Sequence, residues 1–146
     1  MKRAQFHTIK HRILEPRKFI QVIMGPRQVG KTTLITQALE EISLPHQYVS
    51  ADSLTGDGTT WLQAVWNKAR MECKRYEGTD YLLVIDEAQK IDNWSEAVKR
   101  EWDADTFNHL PIKLVLLGSS SLLIQRGLTE SLAGRFEIID IPHWSY

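Results

Sequence analysis

Five stretches of the chain are apolar over the length of a strand: Phe19 to Met24, Tyr48 to Ser50, Tyr81 to Ile85, Leu114 to Leu117 and Phe136 to Ile141. Several are apolar almost without alternation, which predicts strands covered on both faces, as in a buried parallel sheet. Between them the apolar positions fall at helical spacing. Leu34, Ile35, Ala38, Leu39 and Ile42 make one stripe, Leu62, Val65, Trp66, Ala69, Cys73 and Tyr76 a second, and Trp94, Ala97, Val98 and Trp102 a third after Asp92. Strands alternating with helices of this length imply βαβ crossovers and helices on both sheet faces, an α/β fold. The tryptophans and tyrosines on these stripes are expected in the core rather than in a ligand platform. Turn-forming clusters at Pro45, Thr55 to Thr60, Gly78 to Asp80 and Pro111 are short, and no internal repeat interrupts the pattern. Gly56-Asp57-Gly58 lacks the third glycine of a dinucleotide fingerprint and reads as a plain loop.

At 146 residues the chain suits one domain with one active centre. It is 42% hydrophobic and 25% charged, far from the composition of a disordered segment, and Lys plus Arg balance Asp plus Glu at 18 each. That balance gives no overall electrostatic reason to expect nucleic acid or an anionic membrane as the main partner. The exception is residues 1–18, where Lys2, Arg3, Lys10, Arg12, Arg17 and Lys18 face one acid, Glu15. This segment is expected to be a solvated basic helix or a basic arm ahead of a core running over 19–146. A single cysteine, Cys73, excludes an intramolecular disulfide and a cysteine-rich zinc site. With no signal-peptide or membrane-spanning run in sight, a cytoplasmic setting is expected.

The first strand runs into Gly25-Pro26-Arg27-Gln28-Val29-Gly30-Lys31-Thr32-Thr33, a full match to G-x-x-x-x-G-K-[ST] followed by a helix. Glycines let successive backbone N–H groups converge on phosphate oxygens, and the helix start adds free N–H groups and the positive end of its dipole. Lys31 is placed to reach the β and γ phosphates, and the Thr32 hydroxyl to ligate Mg²⁺. The strand Tyr81 to Ile85 ends in Asp86-Glu87, the Walker B arrangement that complements this Walker A loop. Asp86 is expected to hold Mg²⁺ through water. Glu87, turned away by strand alternation, is expected to orient and deprotonate the attacking water. A further buried strand ends in Gly118-Ser119-Ser120-Ser121. Ser119, with Ser120 as the alternative, suits a γ-phosphate sensor, and a serine there equally suits the N-cap of a following helix.

The segments GPRQVGKTT, LLVIDEAQKIDNW, LLGSSSLLI and SLAGRFEIIDIPHWSY, in this order, resemble a prokaryotic AAA-type P-loop ATPase family. In that family the P-loop domain is normally followed by a C-terminal domain of poorly understood function. The resemblance runs from about Phe19 to the end of the chain. It implies a three-layer fold with a parallel five-stranded sheet in the order 5-1-4-3-2 and Mg-ATP at the carboxyl ends of the strands. It also places Arg135, in Gly134-Arg135-Phe136, where AAA-type enzymes carry an arginine that enters a neighbour's site. The alternative for Arg135 is an ion pair within the chain, to Glu130 or Glu137. Gln89 is a polar neighbour candidate for Glu87. AAA-type proteins carry a helical lid after the fifth strand, for which this chain has no counterpart before Tyr146. The chain is therefore expected to be part of a longer protein, a weak ATPase by itself, and a homo-oligomer only in the longer form. Three functions remain open: an ATPase that drives a partner or a missing domain, a helicase or translocase core, and a nucleotide-switched module without turnover.

Overall fold

The computed structural model describes residues 2–25, 31–54, 56–77, 79–118 and 132–140. Five parallel strands form one sheet: β1 (Ile20–Met24), β2 (His46–Ser50), β3 (Tyr81–Asp86), β4 (Ile112–Gly118) and β5 (Phe136–Asp140). Their order is β2-β3-β4-β1-β5, the expected 5-1-4-3-2 read from the opposite edge. Helices α1 (Lys2–Leu14) and α2 (Lys31–Glu41) cover one face, and α3 (Gly58–Arg75) and α4 (Trp94–Phe107) cover the other.

Alternation along each strand divides the apolar residues between two cores. Ile20, Val22, Leu83, Ile85, Leu114 and Leu116 pack towards α3 and α4, with Trp66 and Trp94 fully buried among them. Ile23, Leu82, Val84, Val115, Leu117 and Ile139 pack towards α1 and α2. Two-sided burial explains why these strands lack a polar alternate. Each fully buried aliphatic side chain contributes roughly 1.5–3 kcal/mol of transfer free energy. Polar residues on this sheet mark either an edge or a special contact. The edge strand β2 is only half-buried, which is why it begins at His46, two residues before its apolar run. Strand β4 likewise begins at Ile112, because Lys113 is tolerated inside: its ammonium donates to the Ile13 carbonyl at 2.7 Å and pairs with Asp80 at 3.1 Å.

Local chemistry sets the helix ends. Asp57 caps α3, its carboxylate accepting from the Thr60 backbone N–H at 3.2 Å and hydroxyl at 2.7 Å. Those two bonds, the side-chain one foremost, hold the Asp57 carboxyl below its usual range. The pair Gly56-Gly58 thus belongs to a helix start, and a Cβ on Gly58 would lie 2.7 Å from the Ile91 side chain. Basic α1 is seated through Ile9 and Ile13, both buried against α2 and the sheet, and through Lys10, which pairs with Glu41 at 3.1 Å.

Candidate functional site

Strand β1 delivers buried Gly25 to the carboxyl edge of the sheet, and α2 starts again at Lys31. Pro26, Arg27, Gln28, Val29 and Gly30, between them, lie outside the described residues. Lys31, Thr32 and Thr33 form the first turn of α2, with Thr33 exposed and the side chains of the other two outside the description. The first turn of a helix has backbone N–H groups without helical partners, and this one carries no acidic residue to occupy them.

The acidic pair ends β3, which is separated from β1 by β4 alone, so Asp86 and the end of β1 are about 10 Å apart across the sheet. Register sets Asp86 level with Leu117 on β4 and Ser50 on β2. The Tyr48 hydroxyl donates to Asp86 Oδ2. Glu87 does not continue the strand. Its backbone is left-handed, φ 58° and ψ 37°, so the direction of its carboxylate is set by a turn rather than by strand alternation. That conformation costs a non-glycine residue about 1–3 kcal/mol and persists where the surroundings dictate it. Here the Glu87 N–H donates to the Leu117 carbonyl at 2.9 Å, and a tight turn over Ala88–Lys90 follows, closed by Lys90 N–H to Glu87 O at 3.1 Å. The Glu87 carboxylate, 9% exposed, accepts from Gln89 Nε2 at 2.7 Å. Gln89 is itself buried, and its carbonyl oxygen has no partner among the described residues.

Ser119 and Ser120 lie outside the described residues. Strand β4 ends at Gly118 between the two motif-bearing strands, at the same edge of the sheet.

Arg135 is at the opposite end of the sheet. It precedes β5, and Phe136 is level with Ile20, the first residue of β1; five residues of strand, roughly 16 Å, separate that level from Gly25. Its guanidinium forks onto Asp103 of α4, Nε to Oδ1 at 2.8 Å and Nη2 to Oδ2 at 2.9 Å. This hydrogen bonding lowers the Asp103 carboxyl below its usual range and raises Arg135. The intrachain partner is therefore Asp103, whereas Glu137 binds Gln21 at 2.9 Å and Arg12 at 3.7 Å.

Among the described residues no group of three or more His, Cys, Asp or Glu is placed to hold a metal. A cage for Zn²⁺ or Ca²⁺ needs such a set, whereas Mg²⁺ beside phosphates takes one or two protein oxygens and keeps its waters. Asp86, at the end of β3, fits that smaller demand.

Sequence reasoning missed two of these contacts. Tyr48 lies on a short apolar run, and only the β2–β3 register reveals its reach to Asp86. Asp103 sits on the polar side of α4, 32 residues from Arg135, with no local pattern that pairs them.

A glycine-ended strand feeding a helix, an acidic pair one strand away, and a 2-3-4-1-5 sheet together define a P-loop nucleotide-binding domain. Residues 17–146 match the AAA domain family, and the chain belongs to it; its nucleotide binding is of the AAA ATPase type. The fold is similar to that of the Aeropyrum pernix Orc1 protein, solved in complex with DNA, with a TM-score of 0.70 and 14% identity. The match covers 99% of this chain and 45% of the Orc1 chain. No curated protein matches the sequence. Among the described residues no helix is long and apolar enough to cross a membrane.

Proposed function

We propose that this domain binds Mg-ATP at the carboxyl ends of β1, β4 and β3, hydrolyses it, and uses the cycle to drive or switch a partner or a further domain in a cytoplasmic setting. The observation that carries the reading is the turn at Glu87. A left-handed backbone pinned to Leu117 and a carboxylate held by Gln89 place an acid at a fixed point beside, and separate from, the Asp86 carboxylate.

In this reading the N–H groups of the 25–30 loop and the α2 start cradle the phosphates, and Lys31 neutralises the β and γ oxygens. Thr32 and Asp86 would hold Mg²⁺, which when bound would supply positive charge beside the phosphates. Glu87 takes a proton from the attacking water, and Ser119 contacts the γ-phosphate. Replacing Glu87 by Gln preserves size and hydrogen bonding but removes the base. Glu87→Gln is expected to keep Mg-ATP affinity and lower turnover roughly 10²- to 10⁴-fold; a drop of less than about threefold contradicts the role.

Arg135 is too far along the sheet to serve its own phosphates, so its catalytic role, stabilising transferring charge bidentately, is exercised in a neighbouring subunit after release from Asp103. Mixing Arg135→Ala with Lys31→Ala protein tests this. Recovered turnover in co-assembled mixtures supports action across an interface, and no recovery assigns Arg135 to the Asp103 ion pair alone.

The DNA in the Orc1 structure motivates a second reading, a domain whose turnover responds to nucleic acid. It predicts a salt-dependent rise in ATPase rate on adding DNA or RNA; an unchanged rate removes it.

A further inference from the structure

Tyr48 stands on the edge strand β2, opposite Val84 and therefore diagonal to Asp86, two residues further along β3 on the same face. Diagonal neighbours across strands are about 7–8 Å apart, within the span of an aromatic side chain. The phenol crosses that distance and donates its hydroxyl hydrogen to Asp86 Oδ2. Edge-strand propensity does not require the hydroxyl, since phenylalanine fits a half-buried strand equally well. Tyr48 is also 38% exposed at the sheet edge.

We propose that Tyr48 is a positioning residue for the divalent cation: its hydroxyl fixes the plane and rotamer of the Asp86 carboxylate that would hold it. The proposal rests on the reading of Asp86 as the cation-holding acid. A carboxylate presents two equivalent oxygens and rotates about its terminal torsion. A donor on one oxygen removes that freedom and gives the carboxylate one orientation. A phenol does this without cancelling the charge, because it is neutral while it donates. A Lys or Arg in the same place would compete with the cation. Outer partners of this kind commonly change metal affinity by about 10- to 100-fold when removed.

The arrangement also ties the cation's carboxylate to the sheet edge. Strand β2 pairs with β3 alone, while β3 is paired on both sides, so a displacement of the edge strand moves the tyrosine relative to a fixed Asp86.

The test measures binding of a non-hydrolysable ATP analogue by calorimetry, in Mg²⁺ and in EDTA, for the parent, Tyr48→Phe, Asp86→Asn and the double variant. The readout is the gain in affinity that Mg²⁺ confers, which is independent of turnover. Tyr48→Phe is expected to reduce that gain by roughly tenfold, with affinity in EDTA unchanged. In the Asp86→Asn background the same substitution is expected to change nothing further. A Mg²⁺ gain lost in Asp86→Asn but kept within about twofold in Tyr48→Phe overturns the role of Tyr48 and leaves that of Asp86 standing. Equal gains in the parent and Asp86→Asn overturn both. Affinity for Tyr48→Phe that falls equally in EDTA and Mg²⁺ assigns the hydroxyl to the fold and also overturns the proposal.

Discussion

The buried acids at the two ends of the sheet meet different donors among the described residues. At the amino end, cations and carboxylates are matched to each other inside the chain. Buried Asp105 accepts from Trp66 Nε1 at 2.8 Å and pairs with Arg70 at 2.8 Å, and Arg70 also reaches Glu101 at 2.9 Å. Arg17 donates to the carbonyls of Ile112 at 2.7 Å and Trp102 at 3.1 Å while stacking on the Trp102 ring at 3.6 Å. Arg135 locks Asp103 in a bidentate fork. At the carboxyl end, Asp86 accepts from a phenol and Glu87 from an amide, while Lys90 pairs with Asp52 in the turns beyond the strands. A neutral donor fixes a carboxylate without cancelling its charge. The first end is thereby built for stability, and the second is where the proposed cation and water would meet Asp86 and Glu87.

If this contrast is right, cutting a pair at the amino end costs folding free energy. The largest effect is expected for Arg70→Ala, which leaves the Asp105 carboxylate buried with its cation gone. Burial alone would lower the Arg70 pKa, but its bonds to Asp105 and Glu101 outweigh this and raise it, a sign that the pair is engaged. Breaking such a pair costs about 3 kcal/mol, measurable as a shift in urea midpoint. An effect under about 0.5 kcal/mol would show that Trp66 and solvent satisfy Asp105 on their own.

A packing change is next. Gly58→Ala puts a methyl 2.7 Å from the Ile91 side chain, just after the acidic-pair turn, and is expected to destabilise by about 1–2 kcal/mol. A neutral result in thermal unfolding would mean that Ile91 gives way freely.

The smallest effect is expected at the surface fork. Arg135→Ala should cost less than about 1 kcal/mol, because both partners are partly exposed. Its sign with pH follows from Asp103, whose carboxyl lies below the ordinary 3.8 in the folded chain. A depressed acid stabilises the fold above its unfolded value, and that contribution disappears as pH falls through the folded one. The difference in urea midpoint between parent and variant should therefore be present at about pH 6 and shrink towards about pH 3. A difference that grows on acidification would contradict the pairing.

Much of this architecture was legible before any coordinates, for reasons that particular residues make clear. The stripe Leu62, Val65, Trp66, Ala69 and Cys73 is buried in full, while Tyr76 at its end is exposed because α3 stops at Arg75. The acidic pair was legible from its place after a continuous apolar strand. The left-handed turn at Glu87 was not, because a bond to Leu117, thirty residues on, selects it over strand continuation. Tyr48 and Asp103 were hidden for the same reason: their partners are fixed by strand register and helix packing. Gln21, Lys113 and Glu137 break otherwise apolar strands, and each proves to be tied up at the amino end by hydrogen bonds or ion pairs.

The central claim, that the carboxyl end is the nucleotide site, is tested most directly by titrating Mg-ATP into the parent and Lys31→Ala under conditions too brief for turnover. Saturable binding by the parent, abolished or strongly weakened in the variant, is the predicted result. Equal affinity in the two proteins would contradict the account.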